Sequence, residues 1–286
     1  YNSVHMKKPI VLLTDFGTAD PFVGVMKGVI ARISPATNII DLTHEIPPGE
    51  IQRAALTLWS SVPYFSGGTI FLVVVDPGVG THRHPALVET GQYTFVGPDN
   101  GVFSFVLGDN YRAWELSNPK FTLPNPRTTF HGRDLFAPVA AYASTGVSGC
   151  EFGDPIPELQ SIPNPKLETQ SPGNLQGEVL YADRFGNTLT SFGVFTPTPD
   201  GTYSLQPWTG GAKASGWDLK NAHLSIPGRC PLPWAATFAA IPEGDCAMIV
   251  GSSGLLEIAA NRQSAAKMLN LKTGDPLTLI RPVHKK

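Results

Sequence analysis

The chain has 286 residues, with 21 Lys and Arg against 23 Asp and Glu. This length is enough for one large or two ordinary domains, whose cores need no disulfide support. The near-neutral charge, without a basic block, argues against a nucleic-acid partner and against an anionic membrane surface. A small-molecule ligand is therefore expected.

Two further features of the composition exclude other classes. No apolar run approaches the ~20 residues that span a bilayer. The N-terminal YNSVHMKKPI lacks the apolar segment of a signal peptide, so we expect a cytoplasmic protein, with residues 1–5 outside the fold because Met6 is a plausible natural start. Cys150, Cys230 and Cys246 lack CxxC spacing, so free thiols are favoured, although a Cys230–Cys246 bridge stays open.

Apolar patterning predicts alternating strands and helices in the first half. The predicted strands are 9–17, 37–44, 68–78, 85–90 and 93–97, and the predicted helices are 21–34, 49–65 and 132–146. Alternating β and α units are typical of helices packed on both faces of a parallel sheet. The sequence therefore predicts an α/β fold with an N-terminal doubly wound, mostly parallel sheet domain over residues 6–160.

The second half has a different pattern. Residues 161–174 are Pro-rich and are predicted to be a linker in extended conformation. Beyond them come short β-type runs separated by turn residues, with one helical pattern, NRQSAAKMLN. Residues 175–286 are therefore predicted to form a smaller, all-β, barrel-like domain.

Polar residues follow the predicted strands at Asp15, Thr43-His44 and Asp76. The carboxyl ends of parallel strands form one edge of the sheet, where ligands bind. In TDFGTADPF, Asp15 is either a turn residue or a carboxylate for ribose hydroxyls, and Asp20 is either a helix N-cap or a ligand contact. The motif is not GxGxxG, so a dinucleotide fold is not predicted.

The stretch DPGVGTHRHP follows the third predicted strand. Gly78 and Gly80 allow either an ordinary tight turn or a close wrap around a ligand. His82 and His84 near Asp76 raise the possibility of a metal, but no third ligand stands at a recognisable spacing and HExxH is absent. No metal site is predicted.

Three later motifs are weak when taken singly. In TFHGRDLFAP, Asp134 is a favourable charge near a helix N-terminus and Arg133 is its expected partner, whereas His131 has no obvious packing role. DRFGNTLT is typical of a hairpin turn. GSSGLLEIAANR is typical of a turn that leads into a strand and a helix.

Taken in order, TDFGTADPF, DPGVGTHRHP, VGPDNGVFS, TFHGRDLFAP, DRFGNTLT and GSSGLLEIAANR resemble the S-adenosylmethionine hydrolase family. These are the adenosine-forming hydroxide adenosyltransferases, related to the fluorinase and the chlorinase. The resemblance covers roughly residues 8–281 and implies an N-terminal α/β domain with a C-terminal β-barrel. It also implies a homotrimer whose active sites lie between subunits, and S-adenosylmethionine, adenosine and methionine as ligands.

The resemblance also implies site residues. An Asp-Arg-His triad for water corresponds to Asp76, Arg83 and His131. The implied substrate-binding residues are Asp15, Phe16, Asp20, Phe130, Gly132, Asp183, Phe185, Asn187, Ser252, Ser253, Glu257 and Arg262. No metal or cofactor is implied, because a sulfonium is already a good leaving group.

Individual roles follow from the same resemblance. Asp15 would hold the ribose hydroxyls and Phe130 would line the pocket at C5′. The methionine ammonium and carboxylate would be received by Asp20, Asp183 and Ser252, and adenine by Asn187 and the backbone near Arg262. The halogenases carry Arg at Ser253 and Ala260, so carboxylate recognition differs here.

Two alternatives remain open. One is a halogenase, but halogenating relatives have Tyr at Asp76 and at His131, and the fluorinase has Ser at Gly132. A carboxylate at Asp76 would repel a halide by about 1–4 kcal/mol at ~4 Å, depending on the effective dielectric constant. The other is a non-catalytic protein that binds adenosine or S-adenosylmethionine. The sequence favours the hydrolase.

Overall fold

The computed structural model describes residues 8–170, 173–208 and 213–281. The chain divides into two compact units between Ile162 and Pro163. Within the described ranges, no helix combines the length and the hydropathy needed to cross a bilayer.

The first unit is built on a six-stranded sheet. Its strands are β1 Ile10–Thr14, β2 Ile39–Thr43, β3 Ile70–Val74, β4 Pro85–Glu89, β5 Thr94–Pro98 and β6 Arg112–Glu115, and its helices are α1 Phe22–Ile33, α2 Ile51–Ser61 and α3 Ala137–Ser144. The strand order is β2-β1-β3-β5-β4-β6. Only β4 runs against the others, so the predicted mostly parallel sheet is confirmed.

Helices cover both faces of this sheet, as the apolar runs predicted. Successive residues of β1 alternate between two cores: Ile10 and Leu12 pack with Met26 of α1, whereas Val11 and Leu13 pack with Leu58 of α2. Every residue of β1 is buried. A strand that is covered on both faces has no solvent side, which explains the uninterrupted apolar run at residues 10–13. The sheet is therefore doubly wound.

Two predicted helices differ in detail from the observed ones. The segment predicted as one helix over 132–146 begins with a π-helical turn, Gly132–Phe136, and continues as α3. The first helix is preceded by Pro21 and has no side-chain cap, so the N-cap interpretation of Asp20 is wrong. Short 3-10 turns lie at Val62–Tyr64, Pro119–Phe121, Gly149–Glu151 and Phe238–Ala240.

The second unit is a curled antiparallel sheet, a half-barrel. Its elements are β7 Leu167–Gln170, β8 Asn174–Ala182, β9 Thr188–Pro197, β10 Tyr203–Gln206, β11 Ala214–Trp217, β12 His223–Ser225, β13 Cys246–Val250, β14 Leu255–Ala260, α4 Ala265–Met268 and β15 Pro276–Ile280. The main order is β11-β10-β9-β8-β15-β12, and β14 pairs with both β9 and β13. The predicted barrel-like β-architecture is confirmed, with α4 as its one short α-helix among the described residues.

The stretch predicted as a linker, 161–174, is not a free connection throughout. Its residues 167–170 form β7, which pairs antiparallel with β8. The extended conformation expected from the prolines is present there, but its hydrogen bonds join the half-barrel. Composition indicates an extended backbone and does not reveal whether a partner strand is available.

Candidate functional site

Asp76, Arg83 and His131 are joined by hydrogen bonds in the first unit. Asp76 follows the buried strand β3, and Arg83 lies beyond the loop that Gly78 and Gly80 form. Arg83 donates from Nε to Asp76 Oδ1 over 2.8 Å and from Nη2 to Asp76 Oδ2. The same Nη2 lies 2.9 Å from His131 Nδ1. The loop and the start of the π-helical turn therefore bring the sequence-predicted triad together.

The loop conformation depends on glycine at position 80. Gly80 has φ of +78°, in the left-handed region, and a Cβ there would lie 3.1 Å from the carbonyl oxygen of Thr128. Any other residue would be strained and crowded at this point. The turn thus reverses the chain so that Arg83 points back at the end of β3.

The ion pair between Asp76 and Arg83 is almost fully buried. Their side chains are 5% and 9% exposed, and the Arg83 guanidinium lies 5.4 Å from the ring centroid of Phe136. Each carboxylate oxygen of Asp76 has a second lone-pair position that Arg83 does not occupy. Asp76 can therefore still accept a hydrogen bond from a small molecule in the adjacent cavity.

The contact with Arg83 fixes the protonation of His131. A guanidinium can only donate, so Nδ1 of His131 must accept, and a neutral ring then carries its proton on Nε2. Burial first, and the positive charge of Arg83 second, lower the pKa of His131 below 6.5. With its pKa lowered, the ring is neutral at neutral pH, so the positive charge of the network lies on Arg83.

A cavity of about 550 Å³ lies beside this network. The sequence-predicted residues that line it are Phe16, Asp76, Phe130, His131 and Gly132. Sequence analysis missed other lining residues: Phe22, Val74, Val79, Arg127, Thr129 and Arg133. Asp15 and Asp20 are not among the lining residues.

Aromatic edges form one wall of this cavity. The rings of Phe16, Phe22 and Phe130 meet edge to face, with centroids 5.3–5.9 Å apart. Phe22 is 42% exposed, although it stands in the first turn of α1. A large aromatic side chain that is exposed beside a cavity indicates a ligand-binding wall, because such side chains are usually buried. The wall is suited to a flat, partly apolar ligand.

Asp15 lies at the end of β1 and is held by the neighbouring loop. The backbone N–H of Gly49 donates to its Oδ2 over 2.8 Å. Burial raises the pKa of the Asp15 carboxyl, with a smaller contribution from the nearby Asp76. Asp15 and Asp76 are thus close enough to interact electrostatically at the carboxyl edge of the sheet.

Other charged residues around the triad have structural partners. Arg133 pairs with Asp134, as predicted, and the Arg127 backbone N–H also donates to Asp134. His84 Nδ1 lies 3.1 Å from Glu115 on the surface. The side chains of Arg133 and His84 therefore have structural partners, whereas the contact of Arg127 uses only its backbone N–H.

A separate cavity of about 900 Å³ lies in the second unit. The sequence-predicted residues that line it are Asp183, Phe185, Asn187, Ser252, Glu257 and Arg262. Ser253 is not among the lining residues, and its buried Oγ has no hydrogen-bond partner among the residues that the structure describes. Sequence analysis missed Thr237 and Phe238, which line the same cavity.

The first loop of this cavity is ordered by a carboxylate. Asp183 Oδ1 accepts from the backbone N–H groups of Phe185 and Asn187, and Oδ2 accepts from Asn187 Nδ2. The turn interpretation of DRFGNTLT is therefore confirmed. Asn187 Oδ1 remains available to a ligand, because the amide nitrogen is the atom that Asp183 engages.

Metal and disulfide chemistry find no support in the described ranges. No group of three or more His, Cys, Asp or Glu side chains there could hold a metal ion. Cys150, Cys230 and Cys246 are free, so the Cys230–Cys246 bridge that the sequence left open is not formed.

Comparison with known sequences adds the family. Residues 10–153 match the SAM hydroxide adenosyltransferase N-terminal domain, and residues 177–278 match the C-terminal domain of the same name. The chain belongs to the SAM hydroxide adenosyltransferase family. The motif-based resemblance is thereby confirmed over both units.

Members with curated names cover almost the whole chain. An (R)-S-adenosyl-L-methionine hydrolase of Thermus thermophilus is 38% identical over 282 residues, which are 96% of this chain and 100% of the relative. One of Salinispora arenicola is 35% identical over 274 residues, 94% and 96% of the two chains. A fluorinase of Actinoplanes is 26% identical over 299 residues, 94% of this chain and 96% of the relative.

Solved structures of similar proteins share the architecture. An uncharacterized conserved protein from Thermotoga maritima matches with a TM-score of 0.80 at 34% identity, over 95% of this chain and 100% of that one. A conserved hypothetical protein from Thermus thermophilus matches with a TM-score of 0.72 at 36% identity, over 96% and 100%. The fold of this chain is therefore also found in these two solved structures.

Proposed function

We propose that this protein hydrolyses (R)-S-adenosyl-L-methionine to adenosine and L-methionine. The observation that carries the proposal is the buried, hydrogen-bonded Asp76–Arg83–His131 network beside a cavity. Relatives that are 35–38% identical over nearly the whole chain are named (R)-S-adenosyl-L-methionine hydrolase. The network can position an attacking water molecule, and the names of the relatives indicate the substrate.

The chemistry asks for a positioned water molecule. The sulfonium leaves as a neutral thioether, so neither an acid for the leaving group nor a metal is required, and we propose that the reaction uses no cofactor. The remaining barrier lies in holding a partly desolvated water in line with C5′. The C–S bond breaks as the water oxygen bonds to C5′, and one proton is released.

The network assigns a task to each group. Asp76 accepts a hydrogen bond from the water and takes its proton as the new bond forms. His131 donates from Nε2 to the water oxygen and orients it, and Arg83 holds both partners in place while its charge favours hydroxide character. The neutral form of His131 suits this task. Its Nδ1 accepts the hydrogen bond from Arg83, so the remaining ring nitrogen, Nε2, is a donor.

We further propose where the rest of the substrate binds. Asp15 is assigned to the ribose hydroxyls, Phe130 to the wall at C5′, and Asn187 with the backbone near Arg262 to adenine. The two cavities lie in different units of the chain and carry different subsets of the substrate-binding residues. A homotrimer in which the first unit of one subunit meets the second unit of its neighbour would unite them.

Product analysis tests the function directly. Purified protein is incubated with each sulfonium epimer of S-adenosyl-L-methionine in H₂¹⁸O, with and without chloride. We expect adenosine and methionine from the (R) epimer, with ¹⁸O in the 5′-hydroxyl of adenosine. Formation of 5′-chloroadenosine would favour the halogenase, and bound substrate without product would favour a non-catalytic binding protein. A His82→Ala variant, altered at an exposed neighbour of Arg83, is the matched control and should remain active.

The pH dependence of kcat follows from His131. Protonation of Nδ1 would set two donors, His131 and Arg83, against each other and break their hydrogen bond. At saturating substrate we expect kcat to rise with pH through a pKa below 6.5 and to stay level above it, because the lowered pKa favours the active neutral ring. Folding stability contributed by the neutral ring is likewise lost as pH falls below 6.5 through the folded-state pKa.

A variant separates His131 from other titrating groups. His131→Asn keeps an acceptor for Arg83 but does not titrate, so its residual kcat should lack the acidic limb. His84→Ala, at an exposed histidine, should keep the limb. An unchanged acidic limb in the His131→Asn variant would assign it to another group, of which Asp15 with its raised pKa is the first candidate.

A further inference from the structure

The cavity of the second unit contains a carboxyl group that the proposed reaction does not use. Glu257 lies in β14, is 8% exposed and lines the cavity of about 900 Å³. Its carboxyl group makes no hydrogen bond or ion pair within the described part of the chain. A buried carboxyl without a partner costs free energy, so natural proteins rarely keep one without a function.

The local backbone is arranged to leave space for this group. In the sheet Glu257 is paired with Ile249 of β13 and with Leu189 of β9, so neither register partner offers a polar side chain. The carboxyl group packs directly against Gly251, where a Cβ would overlap it. Glycine at 251 therefore lets the carboxyl group reach the rim of the cavity beside Ser252.

The electrostatic surroundings of Glu257 are dominated by another acid. The charged groups among the lining residues of this cavity are Asp183, Glu257 and Arg262. Burial first, and the negative charge of Asp183 second, raise the pKa of Glu257 to about 7. Near neutral pH the carboxyl group of Glu257 therefore holds a proton about half of the time, close to the negative charge of Asp183.

The two acids differ in what they have to offer a ligand. Asp183 Oδ1 already accepts two hydrogen bonds from its own turn and Oδ2 accepts one, so only one lone-pair position of this carboxylate is left for a ligand. No described residue donates to either oxygen of Glu257, so a ligand group with several N–H donors and a positive charge fits this position. A primary ammonium has three such donors, whereas a sulfonium has none.

We propose that Glu257 recognises the primary ammonium of the ligand's amino-acid part and releases its own proton to solvent when that group binds. The balance is simple: the ammonium keeps its three protons, the carboxylic acid becomes a carboxylate, and one proton passes to the buffer. The identity of the ligand rests on the proposed function, in which S-adenosyl-L-methionine supplies the ammonium. Glu257 is then a specificity-determining residue that excludes nucleosides lacking the amino-acid part.

Proton release on binding tests this inference. S-adenosyl-L-homocysteine and 5′-methylthioadenosine are matched probes, because both are uncleaved thioethers and only the first has an ammonium. Calorimetric titration at pH 7 in buffers of different ionisation enthalpy gives the number of protons released. We expect about half a proton per site for the homocysteine compound and none for methylthioadenosine. Equal release with both probes would overturn the inference.

The Glu257→Gln variant removes the titration and keeps the shape of the side chain. It should bind S-adenosyl-L-homocysteine about ten- to a hundredfold more weakly at pH 8, the scale of a hydrogen bond to a charged group, and release no proton. Glu243→Gln, which alters an exposed carboxylate of the same unit, is the control and should match the wild type. Proton release that persists in Glu257→Gln would contradict the proposal. Should this variant not fold, the comparison of the two probes on the wild type decides the question.

The KM for S-adenosyl-L-methionine gives a second readout. The ionised fraction of Glu257 rises from about one tenth at pH 6 to about nine tenths at pH 8, so KM should fall roughly tenfold over that range. In Glu257→Gln the slope should be absent, while the acidic limb of kcat that belongs to His131 stays. Substrate turnover with an unchanged slope in the variant overturns this inference alone. Proton release with S-adenosyl-L-homocysteine but no turnover overturns the proposed function and leaves the inference standing.

Discussion

Replacing Asp76 by asparagine is expected to lower kcat by about 10²–10⁴-fold, the contribution of a positioned acid–base group. The amide occupies the same volume and still offers one oxygen to Arg83. It cannot take the proton of the attacking water, and its N–H₂ faces either Arg83 or the water with a donor where an acceptor is needed. Single-turnover assays at saturating S-adenosyl-L-methionine measure the chemical step directly.

A carboxyl group in the edge strand β6 of the same unit provides the control for that experiment. Glu115 is partly exposed and pairs with His84 on the surface, so Glu115→Gln should leave kcat within about twofold of the wild type, as expected for an exposed pair. Binding of adenosine to Asp76→Asn, measured separately, shows whether the cavity is intact. A variant that binds adenosine normally and turns over at the wild-type rate would remove Asp76 from the mechanism.

Replacing Arg83 by alanine is expected to lower the free energy of unfolding by about 3–5 kcal/mol, the cost of leaving one member of a buried ion pair unpaired. The Asp76 carboxylate, which is 5% exposed beside Arg83, would lose both guanidinium bonds, and His131 Nδ1 would lose its donor. Urea unfolding monitored by far-ultraviolet circular dichroism measures the loss. Activity should fall as well, because Arg83 holds both of its partners.

An exposed pair in the same sheet tests whether burial is the cause. Arg112 and Glu89 form an ion pair across β6 and β4, with side chains that are 76% and 25% exposed. Arg112→Ala should cost less than about 1 kcal/mol, since exposed pairs contribute little. Equal losses for Arg83→Ala and Arg112→Ala would mean that the buried network does not stabilise the fold in the way described.

The central strands of the first unit could be predicted because buried strands have continuous runs of apolar residues. Residues 10–13 of β1 and all of Ile70–Val74 are apolar without interruption, as coverage on both faces of the sheet requires. The short edge strand β6 was missed, because the polar and apolar residues of its sequence, RAWE, do not alternate. Edge strands need few apolar residues, so periodicity carries little signal there.

The contacts of the triad could not all be predicted from local sequence patterns. Asp76 and Arg83 stand close together in the sequence, but His131 is reached only through the packing of the π-helical turn on the sheet. Spacing could not join His131 to the pair, and only the resemblance to a family did so. The tautomer of His131 was out of reach altogether, since it depends on which ring nitrogen faces Arg83.

Glu257 is a different kind of omission. The resemblance placed Glu257 among the substrate-binding residues but gave it no role. The sequence LLEIAA did not suggest one, because it is typical of an ordinary strand in which one polar residue interrupts the apolar ones. Its burial follows from β14 lying between β13 and β9, and its missing partner follows from the apolar register neighbours. Both facts belong to tertiary structure and leave no local mark in the sequence.

The π-helical turn at Gly132–Phe136 has a consequence for how this site can change. The N–H of Ala137 bonds to the carbonyl of Gly132, five residues back, so the turn holds one residue more than an α-helical turn would. One residue corresponds to about 100° of rotation around a helix axis. A single deletion here would swing His131 away from Arg83 while α3 keeps its packing on the sheet. The direction of the imidazole therefore depends on the number of residues in this turn as well as on their identity. A relative with one residue fewer here would have the side chain at the aligned position pointing in a different direction.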